Sequence, residues 1–175
     1  MSKATAVSLC AAWLSLAASA TAQVATPAPG SAAVRVEFAQ PDQFTDVGNR
    51  HFADRTRSGY LEQLRRHVVR RATPLVAEGQ QLVITITDLD MAGSFDPWRS
   101  KPGAVRIVTD VYPPRIDLRF ALSGPDGALI AGGERKLRDI AFMTTTVFYR
   151  GDPLRYEKTL LDNWLTAELG TGRSH

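Results

Sequence analysis

Cysteine is almost absent from this chain, because Cys10 is the only one among its 175 residues. Cys10 lies in an N-terminal segment that we expect to be removed, so the mature protein would carry neither a thiol nor a disulfide. This excludes thiol nucleophiles, Cys-x-x-Cys redox motifs and cysteine-ligated zinc. Stability must then come from packing alone, although an exported compartment would permit disulfides.

The chain also lacks a large excess of charge of one sign, and it contains no known catalytic signature. The formal net charge is only +3, from 21 basic and 18 acidic residues, which argues against general nucleic-acid binding. No serine lies in a Gly-x-Ser-x-Gly elbow, no phosphate-binding loop is present, and the three histidines share no metal-ligand spacing. We therefore assign no catalytic residue and no cofactor.

The first 22 residues have the pattern of a secretory signal peptide. Lys3 is followed by an uncharged run from Ala4 to Ala22, and the run ends in the small-x-small cleavage pattern Ala20-Thr21-Ala22. A retained membrane anchor and a lipoprotein are the alternatives. Serines interrupt the apolar run, and Leu9 is bulkier than the residue usual before a lipidated cysteine. We expect cleavage near Ala22, a periplasmic or secreted protein, and no transmembrane segment afterwards.

Periodicity of apolar residues defines the secondary structure of the remaining chain. Alternation predicts strands from Val34 to Phe38 and from Leu82 toward Met91. The turn Ser123-Gly124-Pro125-Asp126-Gly127 predicts that a strand from Ala128 to Leu137 folds back on the strand before it. Alternation on both sides of Pro113-Pro114 predicts either one strand from Val105 to Leu122 that bends at the prolines or two strands at a sheet edge. We favour the bent strand, because Pro-Pro makes a poor two-residue hairpin. Steps of three and four predict helices from Asp54 to Ala72 and from Asp152 to Leu169.

This order of elements predicts the fold class and the domain organisation. Strand, helix, three strands and helix form an α+β two-layer sandwich, in which two helices cover one face of a four-stranded, mostly antiparallel sheet. We expect a flexible lead over residues 23–33, a single domain over 34–170 and a disordered tail over 171–175. The oligomeric state stays open, and assembly through an exposed strand edge is one alternative.

Asp88 and Asp90 are the candidate metal ligands. Strict alternation would put both on the face that holds Leu82, Ile84 and Ile86, where an unpaired carboxylate is costly. Either the strand bulges near Thr87 and reverses its faces, or the two acids have inward partners. Two carboxylates on one strand face could serve a hard cation or an acid–base pair.

Three groups of residues are candidate binding contacts. Seven arginines and two acids lie between residues 50 and 71, and Arg66 and Arg70 fall on the helix face opposite its apolar stripe. Trp98 lies in a polar loop over residues 94–103. Arg106, Tyr112 and Arg115 lie near the predicted bend. The alternatives are a solvated outer face for the arginines and a tryptophan folded back over the core.

Four strings resemble a bacterial family called domain of unknown function 3016. They are Ile86-Thr87-Asp88-Leu89-Asp90-Met91-Ala92-Gly93, Val111-Tyr112-Pro113-Pro114-Arg115-Ile116, Leu137-Arg138-Asp139, and the helix from Tyr156-Glu157-Lys158 to Trp164. The resemblance spans roughly Val34 to Leu169. It implies an exported bacterial protein, and since the family has no assigned activity it transfers no catalytic residue.

We expect a non-catalytic periplasmic module that binds an envelope partner, either a protein or an anionic glycolipid. The arginines of the first helix and the Trp98 loop would make the contacts. The alternative is a small metal-dependent hydrolase that uses Asp88 and Asp90. Convergence of these two carboxylates on an open cleft would favour the hydrolase, and metal-ion binding by the mature protein and by Asp88→Asn discriminates between the two functions.

Overall fold

A computed structural model describes residues 33–47, 53–95, 106–145 and 149–170. The predicted signal peptide, residues 23–32 of the predicted lead and the predicted tail lie outside these residues. The elements are β1 (Ala33–Phe38), α1 (Ala53–Ala72), β2 (Gln81–Asp90), β3 (Ser94–Phe95), β4 (Arg106–Ile107), β5 (Arg115–Ser123), β6 (Leu129–Arg138) and α2 (Arg155–Leu169). Ala33, expected in the lead, is the first residue of β1.

The main sheet has four strands in the order β1-β2-β5-β6. β1 and β2 are parallel, whereas the β2–β5 and β5–β6 pairs are antiparallel. The protein is therefore an α+β fold with a mixed sheet and two helices, as predicted. β3 and β4 form a separate two-stranded sheet that the sequence pattern did not predict.

The helices bury their apolar stripes against one face of this sheet. Leu64 and Val68 of α1 and Leu161 and Leu165 of α2 are almost completely buried, and they belong to the same core as Ile84. α1 packs against β1, while α2 packs against β6. The opposite face of the sheet is left for polar side chains; we call it the open face. Among the described residues, no helix combines the length and apolarity needed to cross a membrane.

Both helices run away from the end of the sheet at which β2 finishes. α1 connects the end of β1 to the start of the parallel β2, so α1 is antiparallel to both strands. α2 starts near the end of β2, where Glu157 accepts a hydrogen bond from the Ala92 amide, and continues past Arg135 of β6. α2 begins at Arg155, three residues later than the predicted start at Asp152. The Asp152 carboxylate accepts the Leu154 N–H at 2.8 Å in the turn that leads into the helix.

The expectation of one long bent strand through Pro113-Pro114 is wrong. β4 pairs only with β3 in the small sheet, and β5 begins in the main sheet at Arg115. Between them the chain makes a turn in which the Tyr112 N–H donates to the Thr109 carbonyl at 3.2 Å. Two consecutive prolines lack the N–H groups that a continuous ladder needs, so the chain leaves one sheet before it enters the other.

Candidate functional site at the end of the sheet

The end of β2 brings together five of the eight sequence candidates. Asp90, the last residue of β2, lies directly opposite Arg115, the first residue of β5. Asp46, just after β1, forms a bridge with Asp90 and an ion pair with Arg106. Tyr112 lies in the turn that leads into β5, and Asp88 completes the group. We call Asp46, Asp88, Asp90, Arg106 and Arg115 the sheet-end cluster.

A bulge in β2 decides which way the two candidate acids point. The pairing of β2 with β5 shifts between Ile86 and Asp88, so Thr87 is the extra residue. Beyond the bulge Leu89 is fully buried with Ile86, which turns Asp88 and Asp90 to the open face. The first of the two predicted alternatives is therefore correct, because it keeps both carboxylates out of the apolar core.

Both carboxylates have hydrogen-bonding or ionic partners. The oxygens of Asp88 accept from the backbone N–H and the hydroxyl of Thr45, each at 2.7 Å. An Asp90 oxygen lies 3.2 Å from an Arg115 nitrogen. Burial raises the pKa of Asp90, Arg115 lowers it and Asp46 raises it, with a net increase above 3.8. Within the described parts of the chain, no group of three or more acidic, histidine or cysteine side chains is arranged to hold a metal ion.

Arg106 ties the segment after β2 to the rest of the fold. Its Nη1 donates to the Gly93 carbonyl at 2.8 Å and to the Met91 carbonyl at 3.1 Å. Its Nη2 lies 2.8 Å from an Asp46 oxygen, and its guanidinium stacks 4.6 Å from the centre of the Phe95 ring. The carbonyls that accept these bonds lie after the end of β2, where the chain has left the main sheet. Arg106 satisfies them, so it has a structural role at this site.

Gly93 is required at this turn for two reasons. Its φ is +82°, in the left-handed region that favours glycine. A Cβ at this position would lie 2.4 Å from the Ile107 carbonyl oxygen. The backbone of β4 thus passes too close for any side chain, and the Gly93 N–H instead donates to the Tyr112 carbonyl at 2.9 Å.

Glu157 is a buried acid at the same end of the sheet that sequence reasoning did not select. The residue is 1% exposed, and its Oε1 accepts the Ala92 N–H at 2.7 Å. Its Oε2 has no hydrogen-bond partner among the described residues. Burial raises the pKa of Glu157, which outweighs the hydrogen bond from Ala92 and the nearby Arg106. Its place in the family string Tyr156-Glu157-Lys158 was the only available signal.

The outer face of α1 carries the other two described candidates. Arg66 has 70% of its side chain accessible, and its Nε lies 3.3 Å from a Glu62 oxygen. Arg65 pairs with the same glutamate. Arg70 and Arg71 are also exposed and lie one turn further along. We call Arg65, Arg66, Arg70 and Arg71 the arginine face; Glu62 is the acid that accompanies it.

A buried polar network lies beneath the arginine face and connects the two helices. Asp162 of α2 accepts from Tyr149 at 2.5 Å and from Arg71 at 3.1 Å, and it lies 2.8 Å from Nε2 of His67. Arg70 lies 3.3 Å from Nδ1 of His67. Because an arginine can only donate, the contact with Arg70 fits the tautomer in which Nδ1 accepts and Nε2 donates to Asp162.

The network changes the titration of two of its members. Burial alone would raise the pKa of Asp162, but the hydrogen bonds from His67 and Tyr149 outweigh it and hold the pKa below 3.8. Burial and the hydrogen bond to Asp162 raise the pKa of Tyr149 to about 12. His67 itself is 1% exposed. Its spacing of three from Leu64 was a signal for burial.

Trp98 lies outside the described residues, so its predicted contact stays a prediction. The remaining candidates therefore form two separate surfaces. One is the sheet end, which exposes Tyr112 and Arg115 above a set of acids and arginines that bind one another. The other is the arginine face of α1, which lies toward the opposite end of the sheet because α1 runs away from the end of β2.

Comparison with known proteins identifies a family. A family model described as "Protein of unknown function (DUF3016)" matches residues 32–167. The chain belongs to this family. The four strings that carry the family resemblance meet at the sheet end, through the Asp90–Arg115 ion pair, the Gly93–Tyr112 and Ala92–Glu157 hydrogen bonds, and the register pair Arg115–Arg138. No curated protein matches the chain with significant similarity.

Proposed function

We propose that this DUF3016 protein is a non-catalytic periplasmic module that binds an anionic partner in the cell envelope, a protein or a glycolipid. The arginine face of α1 is the observation that carries the proposal. Four arginines lie within residues 65–71, and Glu62 pairs with two of them, Arg65 and Arg66. Guanidinium groups bind carboxylates and phosphates in a bidentate manner, which suits such a partner.

The network under this face supports a binding role. Arg70 and Arg71 are held in place by His67 and Asp162, so part of the cost of ordering these long side chains is met before a partner arrives. Exposed charges act over about 10 Å at 0.1 M salt, and binding through them should weaken as salt increases.

Charge reversal on α1 tests the proposal. The double variant Arg66→Glu/Arg70→Glu should lose retention on envelope fractions at low salt, and wild-type retention should decrease at moderate salt. Arg35→Glu/Arg119→Glu is the matched control, because it makes the same change in net charge at two exposed positions of the sheet. Melting temperatures of both variants check that the fold is intact. Unchanged retention of the α1 variant would exclude electrostatic binding through this face.

The exported location is a separate part of the proposal and has its own test. It is supported by the apolar run from Ala4 to Ala22 and by the Ala20-Thr21-Ala22 cleavage pattern. Mass spectrometry of the protein recovered from fractionated cells should find a chain that starts near Gln23 outside the cytoplasm. An intact chain recovered from the cytosol would contradict it.

A small metal-dependent hydrolase is the second candidate function. It is supported by the sheet register, in which Asp88 lies opposite Asp117 and two residues from Asp90 on the open face. Among the described residues, however, no three such side chains are arranged to hold a metal ion. The contacts of Asp88 with Thr45 and of Asp90 with Arg115 count against it. Calorimetry of wild type and Asp88→Asn with calcium, magnesium, manganese and zinc is the test. Absence of heat with every ion would exclude a metal-dependent reaction at this site.

A further inference from the structure

β6 is the longer of the two edge strands of the main sheet. It pairs with β5 on one side, and no described strand pairs with its other side. β6 has ten residues, whereas β1 at the opposite edge has six. It also contains no proline, so nothing in its backbone interrupts a second ladder. A strand edge of this kind presents N–H and C=O groups that another strand can pair in register.

Both ends of β6 expose apolar side chains. Leu129 is 68% and Ile130 54% exposed at its start, and Ile140 is 77% and Met143 51% exposed in the turn just after its end. When one strand pairs with an antiparallel copy of itself, the start of each copy lies beside the end of the other. A second copy at this edge therefore brings the two exposed sets together, whereas a contact at either end alone would leave one set in water.

The charges of β6 match those of a second copy in one register. Glu134 and Lys136 are exposed on the open face, and neither makes an ion pair with a described residue. When Arg135 of both copies lies at the two-fold axis, Glu134 of each copy lies directly opposite Lys136 of the other. Lysine at a strand edge usually protects it from pairing, but here the same strand supplies the matching acid.

Arg135 itself does not oppose this arrangement. Its Nε and Nη2 donate to Glu168 of α2 at 2.9 and 2.7 Å, and its guanidinium lies 5.0 Å from the centre of the Phe120 ring. The charge nearest the axis is thus already paired, on the face that the helices cover. Nη1 of Arg135 donates to the Glu134 carbonyl at 2.9 Å, and this oxygen keeps a second lone pair for a strand N–H.

We propose that two copies of this chain associate through β6, with the strands antiparallel and Arg135 at the two-fold axis. The two four-stranded sheets then join into one continuous sheet. Ile130 and Ile140 each lie five residues from Arg135, so the same register brings Ile130 of one copy close to Ile140 of the other. The contact uses the same surface of both copies, so the assembly closes as a dimer.

The inference goes beyond the proposed function, because it concerns a different part of the surface. α1 packs against β1 at the far edge of the sheet, so the arginine face stays accessible in the dimer. The two surfaces can therefore be tested independently of each other.

Sedimentation equilibrium over a range of concentrations tests the inference, with protein purified in the form that its host makes. The mass of wild type should increase from one chain to two and no further. Glu134→Lys and Lys136→Glu each put like charges opposite one another at both symmetric positions, so each should raise the dissociation constant at least about tenfold. Glu37→Lys and Arg35→Glu are the matched controls, because they make the same charge changes at exposed positions of β1. Both controls should stay within about twofold of wild type.

Two rescue experiments check the register. The double variant Glu134→Lys/Lys136→Glu restores opposite charges at both positions and should associate like wild type. An equimolar mixture of the two single variants should also associate, because each supplies the charge that the other lacks. Urea midpoints, measured at a concentration at which every variant is monomeric, check that the fold is unchanged.

Four results would overturn the inference. They are a wild type that stays a single chain at every soluble concentration, a mass that grows beyond two chains, single variants that associate as tightly as wild type, and a double variant that does not recover. The first result would leave this edge to a strand of another protein. If wild type is a single chain while retention on envelope fractions still depends on Arg66 and Arg70, the dimer is wrong and the proposed function stands.

Discussion

Truncation of Arg106 tests whether the sheet-end cluster holds the fold together. The guanidinium donates to three consecutive carbonyls, those of Met91, Ala92 and Gly93, and pairs with Asp46 at 2.8 Å. Only 13% of the Arg106 side chain is exposed. Arg106→Ala would leave the carboxylate of Asp46 half-buried without this partner, and it would leave three carbonyls without their donor.

The expected loss of stability in Arg106→Ala follows from these contacts. Removal of one partner of a buried ion pair costs about 3–5 kcal/mol. Loss of one hydrogen bond to a charged donor costs no more than about 1.5–3 kcal/mol. The terms overlap, so we expect Arg106→Ala to lower the free energy of unfolding by about 3–5 kcal/mol. Arg106→Lys should cost about 1–3 kcal/mol, because the ammonium keeps the charge but cannot reach carbonyls and carboxylate at once.

Urea unfolding followed by circular dichroism measures the effect. With a denaturant slope of about 2 kcal/mol/M, Arg106→Ala should lower the midpoint by roughly 1.5–2.5 M. Arg119→Ala, at an exposed position of β5, is the control and should change the free energy of unfolding by less than about 0.5 kcal/mol. If Arg106→Ala costs less than about 1 kcal/mol, like a surface residue, the contacts of Arg106 do not stabilise the fold and the reasoning is refuted.

Two further predictions concern buried acids, and they have opposite dependence on pH. Asp162→Asn should cost about 2–4 kcal/mol at neutral pH, because an amide cannot accept from all of Tyr149, His67 and Arg71. The pKa of Asp162 lies below 3.8 in the folded protein, so this stabilisation is present above pH 3.8 and is lost as the pH decreases further. Unfolding free energies of the two proteins should therefore converge in acid, and a constant difference would contradict the argument. Glu157→Gln should be at least as stable as wild type at pH 7, since the pKa of Glu157 is raised above 4.5 and its ionisation above that pH favours the unfolded chain. Melting temperatures at pH 4 and pH 7 check this, and a large loss of stability at pH 7 in the glutamine variant would show that the charged form stabilises the fold.

The secondary structure was predictable wherever one local pattern spanned a whole element. The apolar spacing of α1 and α2, the alternation in β1 and the turn before β6 predicted elements that the structure contains. The strand across Pro113-Pro114 failed because alternation continues on both sides of the prolines, and the pattern holds no information on which strand pairs with which. The two-residue strands β3 and β4 are too short to produce any pattern.

The sequence singled out candidate residues but not their arrangement. Asp88 and Asp90 were chosen as a pair of carboxylates and Arg106, Tyr112 and Arg115 as a separate group near the predicted bend, and the structure puts all five at one end of the sheet. Glu157 and Asp162 were missed, since each acts through a partner far along the chain: Ala92 is 65 residues from Glu157 and His67 is 95 residues from Asp162. No local spacing carries such a signal.

The sequence by itself determined the fold class, the apolar stripes of both helices and the outward position of Arg66 and Arg70, and near Thr87 it reduced the options to a bulge or inward partners for Asp88 and Asp90. These depend on the order of apolar and polar residues along one element. Tertiary structure alone decided that the acids of β2 turn to the open face, that Arg106 binds the carbonyls after β2, and that His67 and Asp162 share a buried network. Each of these depends on hydrogen bonds between distant segments, and the packing of the two helices on the sheet sets their distances.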